Sequence, residues 1–288
     1  NKHRPGFGVP ASAGAAHKAA SEHPDRLKAG LRTDLRHWEW RYLWQLCQPD
    51  ESVRLQTNSG PIGEVAISQD GKVMAAQTGR DKIVLWDLTT KQRMAELPGS
   101  ASIRTLALSP RGNRFAVSTL NERKEPIVEV WDVKPLALRT TLPCQSPVRS
   151  LAFSPDETLL ASFDNKGTVA VVDWAANHTL TNLSVPPPRH EGVGVVTFSP
   201  DGSRLAIGED YGRIRIVDWR MGTMVAMTNL TQKGQGVGAL AFSPSSKLLA
   251  TGLGDKTIRL WDARSGESRG QWANPAGTIR ALAFSGVR

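Results

Sequence analysis

A short motif recurs along most of the chain and constrains its fold more than any other feature. Each copy is an apolar run that ends in a serine and a turn, as in "LALSPRG" (106–112), "LAFSPDE" (151–157) and "VTFSPDG" (196–202). The six shared serines, separated by 41, 45, 45, 44 and 42 residues, are Ser68, Ser109, Ser154, Ser199, Ser243 and Ser285. Self-similarity at a period of about 40 to 45 residues is typical of repeat architectures built from blades.

A second landmark follows each of the first five serines. It reads "VLWD", "EVWD", "VVDW", "IVDW" and "RLWD" in successive repeats. Its aspartates, separated by 45, 41, 45 and 44 residues, are Asp87, Asp132, Asp173, Asp218 and Asp262. Two landmarks that keep step in this way predict one structural unit repeated along the chain, as in a β-propeller.

Each repeat divides into four short strands, as the last full repeat illustrates. Residues 237–243 and 248–252 suit strands a and b, and Pro244 presets the turn between them. Residues 257–262 and 267–272 suit strands c and d, because apolar and polar side chains alternate in the first of them. Strand a is apolar on both faces, which predicts that neighbouring blades cover it. The sequence therefore predicts an all-β fold.

Five repeats are complete and a sixth begins at Thr278 with a single strand. The complete repeats span 60–98, 101–142, 146–184, 191–230 and 235–273. The whole propeller region is placed at 51–288.

These repeats resemble WD repeats, over about residues 52 to 288. The signature dipeptide is present as Trp86-Asp87, Trp131-Asp132 and Trp261-Asp262. The resemblance implies a ring closed by a strand near the N-terminus, and "SVRLQT" (52–57) is positioned to be that strand. We expect a fragment of a seven-bladed ring, with five complete four-stranded blades, a partial sixth, and an open arc or loose closure that leaves edge strands exposed.

Two departures from the family pattern carry structural expectations. In the third and fourth repeats the tryptophan follows the aspartate, as Trp174 and Trp219. A tryptophan shifted by one place would point to the other face of the strand. We therefore predict that both tryptophans lie at the blade edge and that valine fills the buried position. The family's histidine before strand a is also mostly missing, because only His190 comes near its position. Blade stability is then expected to rest on packing and backbone ladders.

The segment before the propeller is rich in aromatic residues. "HWEWRYLWQLC" (37–47) holds Trp38, Trp40, Tyr42 and Trp44 at every second position, which would fit a strand. Apolar spacings of three and four, with Asp34 as a cap and Pro49 as a stop, favour an amphipathic helix over 34–48 instead. We interpret those four aromatic residues as the face of a docking helix, and the basic segment 1–33 as a flexible linker.

The same segment, "DLRHWEWRYLWQLC" (34–47), resembles the joining segment of bacterial WD-repeat proteins. Several members of that group carry an upstream serine/threonine kinase domain and a membrane-spanning helix. The resemblance implies that the chain is incomplete and that its parent protein could be membrane-anchored. The compartment is then cytoplasmic by default, and extracytoplasmic if the chain belongs to such a kinase.

Composition and motifs argue against enzymatic chemistry. The six histidines and two cysteines, Cys47 and Cys144, have no metal-site spacing, and no cofactor is expected. Gly266 to Gly270 match G-x-S-x-G, but in a hairpin rather than the strand-turn-helix that a nucleophile requires. The net charge is +9, yet no dense Lys/Arg run or nucleic-acid-binding motif occurs, so nucleic acid is not an expected partner. No apolar run approaches the ~20 residues of a transmembrane helix.

Function is therefore expected at a partner-binding surface around the central channel. The residue five places before each shared serine reads Gly63, Arg104, Arg149, Gly194, Gly238 and Arg280. We predict that Arg104 and Arg149, extended by Arg280, bind an acidic peptide, because a guanidinium can bond both oxygens of a carboxylate. The alternative is that these arginines are solvated or pair with nearby acids. A non-catalytic interaction scaffold is the first functional hypothesis, and a regulatory propeller of a bacterial kinase is the second.

Overall fold

The computed structural model describes residues 61–79, 81–97, 103–185, 194–209, 212–228, 236–273, 277 and 279–284. The predicted linker (1–33), docking helix (34–48) and closing strand (52–57) lie outside these described residues, as do Ser285 and His190. The helix and its four aromatic side chains therefore stay predictions.

The described part of the chain forms twenty strands in five antiparallel sheets, each with its strands in sequence order. Blade 1 contains β1 (Ile62–Ile67), β2 (Val73–Thr78), β3 (Lys82–Asp87) and β4 (Gln92–Leu97). Blade 2 contains β5 (Thr105–Leu108), β6 (Arg114–Leu120), β7 (Pro126–Asp132) and β8 (Ala137–Pro143). Blade 3 contains β9 (Val148–Phe153), β10 (Leu159–Asp164), β11 (Thr168–Asp173) and β12 (His178–Ser184).

Blade 4 contains β13 (Val195–Phe198), β14 (Arg204–Gly208), β15 (Ile214–Asp218) and β16 (Thr223–Thr228). Blade 5 contains β17 (Val237–Phe242), β18 (Leu248–Leu253), β19 (Thr257–Asp262) and β20 (Ser268–Ala273). The five sheets form a ring, so the predicted all-β propeller with five complete four-stranded blades is confirmed.

The shared serine fixes the turn between strands a and b. Its hydroxyl accepts the backbone N–H of the residue five places later, at 2.9–3.1 Å in all five blades. In three blades it also donates to the aspartate two places later, at 2.5–2.6 Å: Asp70, Asp156 and Asp201. One buried hydroxyl thus satisfies an inward-pointing N–H and orients the turn carboxylate, which explains why serine recurs.

The signature aspartate has the corresponding task at the turn between strands c and d. In four blades its Oδ1 accepts the N–H groups of the residues two and three places later, at 2.9–3.1 Å. Asp132 is the exception, because Pro135 has no N–H to donate. Asp132 instead pairs with Arg114 and Arg139.

Neighbouring a–b turns are tied together across the blade boundaries. The N–H of Arg111 donates to Glu157 Oε1 at 2.6 Å, and the N–H of Asp201 donates to Ser246 Oγ at 3.1 Å. Glu157 and Ser246 occupy a position that is glycine in the other blades, with φ of 64° and 59°. The inter-blade bonds offset the strain of a left-handed conformation at these two residues.

Inner strands are buried in every blade except the first. In β1 the side chains of Ile62, Val65 and Ile67 are 48–57% exposed, whereas the inner strands of blades 2 to 5 are largely covered. Residues 279–284 follow blade 5, and Ile279 lies against Gly252 of β18. Residues 279–284 form no strand, so the predicted strand a of a sixth blade is not formed in this described segment.

The expectation for the displaced tryptophans was wrong. Trp174 and Trp219 are 8% and 4% exposed and belong to the clusters between blades, not to their edges. The strand registers align the aspartates, with Asp173 opposite Leu159 as Asp132 is opposite Arg114. Relative to aspartate the tryptophan therefore moves two places, which keeps it on the same strand face.

Valine replaces tryptophan at the position before the aspartate, and the two cases differ. Val217 is buried, as expected, whereas Val172 is only half-buried. Three indole N–H groups have different acceptors: Trp131 donates to Glu129, Trp261 to Thr251 and Trp174 to the Glu157 carbonyl. No histidine among the described residues takes part in these bonds.

Two turn glycines allow a matched test of inter-blade packing. Gly71 and Gly112 both have φ near 70°, but a Cβ on Gly71 would meet nothing, while one on Gly112 would lie 2.7 Å from Val73 Cγ2. Gly71→Ala should cost about 1 kcal/mol for the backbone conformation alone. Gly112→Ala should cost about 2–3 kcal/mol, because overpacking adds to it. Urea denaturation of both variants measures the difference, and equal losses would show that Val73 does not pack tightly there.

The turn carboxylate of blade 4 predicts a pH-dependent stability. Burial alone would raise the pKa of Asp201, but hydrogen bonds from Ser199 and Ser203, with the charge of Arg204, bring the pKa below its ordinary value of 3.8. A lowered folded-state pKa contributes stability that is present above the unfolded-state pKa and is lost as the pH falls through the folded-state pKa. Asp201→Asn should therefore destabilise the fold at pH 7, and the difference should shrink steadily below pH 3.8.

Denaturant titrations of wild type and variant at several pH values test this. Ser245→Asn provides the control, because blade 5 has no carboxylate at the corresponding position. A constant difference for Asp201→Asn between pH 7 and pH 2 would contradict the assigned role of its charge.

Candidate functional site

The inner strands surround a central cavity of about 350 Å³. Its lining comes from all five blades and from residues 282–284, and most of the lining residues have apolar side chains. The prolines and phenylalanines in this lining are Pro110, Pro155, Pro200, Pro244, Phe153, Phe198, Phe242 and Phe284. These residues mark the end of strand a and the a–b turn, so this part of the channel offers little polar chemistry.

The predicted arginines lie at the opposite end of the inner strands. Arg104 directly precedes β5 and its N–H donates to the Ser118 carbonyl, while Arg149 is the second residue of β9. The two residues thus begin neighbouring inner strands, and Arg104 is exposed whereas Arg149 is half-buried. The Arg149 Nε is buried and has no hydrogen-bond partner.

Arg280 approaches blade 1 rather than blade 2. Burial raises the pKa of Glu64 in β1, and the nearby positive charge of Arg280 partly offsets that effect. Arg280 is exposed, yet it already has an acidic neighbour. Arg104 and Arg149 thus begin neighbouring inner strands, and Arg280 lies beside Glu64 of blade 1.

The equivalent positions in the other blades are glycines, and at Gly194 and Gly238 a side chain would meet a ring or the backbone. A Cβ on Gly238 would lie 2.5 Å from the Ile279 carbonyl oxygen, and one on Gly63 would lie 2.8 Å from Gln77 Oε1. A Cβ on Gly194 would overlap the ring of Phe163. The positive charge is therefore confined to a sector of the ring instead of forming a full circle.

Sequence reasoning missed a second set of arginines, which lie on strand c. Arg215 Nε is 2.5 Å from Glu209 Oε1, and Arg259 is 3.2 Å from Asp255. Burial raises the pKa of Glu209, and the charges of Arg215 and Arg213 only partly offset this. These pairs are structural: each arginine neutralises a carboxylate that the blade buries. The sequence signal that could have revealed these pairs is an arginine on strand c, three places before the signature aspartate.

Neither catalytic nor metal-binding groups assemble in the described residues. No group of three or more His, Cys, Asp or Glu side chains could hold a metal ion there. Burial, with the charge of Asp164, raises the pKa of Cys144 to about 11, so its thiol stays protonated at neutral pH. The G-x-S-x-G segment lies in the hairpin between β19 and β20, as its sequence context predicted. Nor does any helix in the described part of the chain have the length and apolar character to cross a membrane.

Comparison with known proteins agrees with this architecture. The family "WD domain, G-beta repeat" matches residues 137–173 and 227–262, each running from one strand d through strand c of the next blade. Small ribosomal subunit protein RACK1y of Oryza sativa subsp. japonica is 27% identical over 137 residues, which are 45% of this chain and 39% of that protein.

Two further relatives are similar at the same level. The guanine nucleotide-binding protein subunit beta of Oryza sativa subsp. japonica is 28% identical over 156 residues, or 50% of this chain and 35% of that protein. The WD repeat-containing protein 91 homolog of Dictyostelium discoideum is 27% identical over 107 residues, or 35% of this chain and 14% of that protein. The chain thus spans well under half the length of these relatives. The matches support a WD-repeat propeller family, a fold typical of protein-interaction scaffolds.

The buried pair of blade 4 can be tested by a mutant cycle. Arg215→Ala leaves the Glu209 carboxylate with only Arg213, at 3.5 Å, and should destabilise the fold by about 2–3 kcal/mol. Adding Glu209→Gln should recover at least about 1 kcal/mol, because the uncompensated buried charge is removed. Chemical denaturation gives both values. A double variant no more stable than Arg215→Ala would show that Glu209 does not need a counter-ion.

Proposed function

We propose that this propeller is a non-catalytic scaffold that binds an acidic peptide or protein segment at the start of its inner strands. Arg104 and Arg149 are the residues that would contact the partner's carboxylates. The observation that supports this most directly is their shared position on neighbouring blades without an ion pair to any described acid. Arg280 would extend the site at its far side, next to Glu64.

Arg104 and Arg149 differ from five other arginines of the blades in having no ion pair to a described carboxylate. Arg114, Arg139, Arg215, Arg259 and Arg269 each contact at least one carboxylate within the chain. The Nε of Arg149 is buried without a hydrogen-bond acceptor, as are those of Arg114, Arg215 and Arg259, but Arg149 alone of these four has no ion pair to a described carboxylate. A carboxylate from a partner would supply that acceptor, and the planar guanidinium could bond both of its oxygens.

The charge of the whole chain favours the same class of partner. A net charge of +9 raises the local concentration of acidic molecules and speeds their encounter with the protein. That attraction is not selective by position, so the specific claim is that two arginines dominate binding. An experiment must therefore keep net charge constant while it changes the place of the substitution.

Binding of a labelled peptide of six glutamates, followed by fluorescence anisotropy in about 150 mM salt, provides this test. The variant Arg104→Glu/Arg149→Glu should weaken binding at least tenfold. The control Lys247→Glu/Arg264→Glu changes the net charge equally at exposed turns on the opposite end of the blades, and it should bind almost as well as wild type. If both variants weakened binding equally, the peptide would be held by the overall positive charge and not by a site at Arg104 and Arg149.

A second function rests on the segment 34–47, whose resemblance suggests a regulatory propeller in a bacterial serine/threonine kinase. Its kinase domain would lie outside this chain. Determining the coding sequence upstream of Asn1 separates the two functions. A kinase core followed by a membrane-spanning helix favours the regulatory role, and a start codon close to Asn1 favours the free scaffold.

A further inference from the structure

Blades 2 and 3 enclose a cavity of about 430 Å³, a volume typical of sites for small ligands. One wall is apolar, with Val128, Leu142 and Leu160, and the rim includes the exposed side chains of Gln145 and Asn182. The cavity therefore opens to solvent, and neither of the arginines at the start of β5 and β9 lines it, although Val148, next to Arg149, does.

Two small residues in β11 create this space. Position three before the signature aspartate is Arg215 in blade 4 and Arg259 in blade 5, but Ala170 in blade 3. The position just before the aspartate is Trp131 in blade 2, but Val172 in blade 3. Both Ala170 and Val172 line the cavity, because Trp174 sits two places further along the same face. The arginine of blades 4 and 5 and the tryptophan of blade 2 are thus replaced by small side chains in blade 3.

The acid that such an arginine would neutralise is nevertheless present. Asp164 stands nine places before Asp173, as Glu209 stands nine places before Asp218. Asp164 is 9% exposed and lines the cavity, and its Oδ1 accepts the N–H groups of Lys166 and Thr168 at 2.9 and 2.8 Å. No described cation pairs with it, in contrast to Glu209, whose Oε1 is 2.5 Å from Arg215. A nearly buried carboxylate without a counter-ion is costly to the free protein.

We propose that this cavity binds a guanidinium group, with Asp164 as its counter-ion. The ligand would thus provide Asp164 with a guanidinium group, as the side chain of Arg215 does for Glu209 within blade 4. Its aliphatic stem would pack along Val172 and Leu160, and Ser162 and Thr168 offer hydroxyl groups for the remaining N–H donors. Guanidinium is favoured over ammonium because the related site in blade 4 is built around a planar fork.

The site is independent of the proposed acidic-peptide surface, and either can fail without the other. Isothermal titration of the full chain with N-acetyl-arginine amide tests it, with N-acetyl-citrulline amide as the neutral ligand of the same shape. Wild type should bind the arginine compound at least tenfold more tightly. Free arginine and the peptide Gly-Arg-Gly distinguish the source: tighter binding of the peptide indicates a protein side chain, and tighter binding of arginine indicates a metabolite.

Three variants assign the binding to Asp164. Asp164→Asn keeps the oxygen that accepts the two turn N–H groups but removes the charge, so it should weaken binding at least tenfold. Ala170→Arg should fill the cavity, pair with Asp164 as Arg215 pairs with Glu209, and abolish binding while the thermal midpoint stays equal or rises. Asp201→Asn, the same chemical change on a remote turn, should bind as wild type does.

Two results would overturn the assignment. One is the absence of any binding of N-acetyl-arginine amide at millimolar concentration to folded wild-type protein. The other is unchanged affinity in Asp164→Asn, which would place the guanidinium elsewhere even if Ala170→Arg blocked access.

Discussion

Packing between neighbouring sheets is the interaction on which the described structure depends. A four-stranded sheet with two apolar faces cannot stay in water alone, because each face needs an apolar cover. The four hydrophobic clusters accordingly lie between blades 1 and 2, 2 and 3, 3 and 4, and 4 and 5. Among the described residues, blade 1 shares a cluster of this kind with blade 2 alone, and the apolar side chains of β1 are exposed.

The repeat allowed much of this architecture to be predicted, because each landmark residue performs a local task. Ser154 and its equivalents satisfy a fixed N–H, and Asp218 and its equivalents close a fixed turn. Tasks of this kind require one residue type at one position, so they leave a visible period in the sequence. Blade number and strand order follow directly from that period.

The other features could not be predicted from the sequence, because they depend on which residues of different strands and blades come together. The sequence predicted Trp174 at a blade edge, but the strand register aligns the aspartates, so Trp174 stays on the buried strand face. The pairing of Arg215 with Glu209 joins residues on two different strands, and only the fold shows that burial makes the pair necessary. The cavity beside Ala170 was equally invisible, since a small residue in a strand carries no signal by itself.

Candidate function arises where a blade departs from its repeat. Arg104 and Arg149 occupy a position that is glycine in blades 1, 4 and 5, and packing leaves no room for a side chain there in blades 4 and 5. Ala170 and Val172 open a space that larger side chains fill elsewhere. The repeats keep the landmark serine and aspartate but vary at other positions, so one scaffold can present different surfaces. Here the arginine pair and the cavity both lie on blades 2 and 3.

Amide hydrogen exchange of the full chain with and without the six-glutamate peptide tests the central claim most directly. The account predicts slower exchange at the start of β5 and β9, around residues 103–105 and 148–150, with little change at the turns between strands a and b. Protection confined to those turns, or spread evenly over the basic surface, would contradict a binding site built on Arg104 and Arg149.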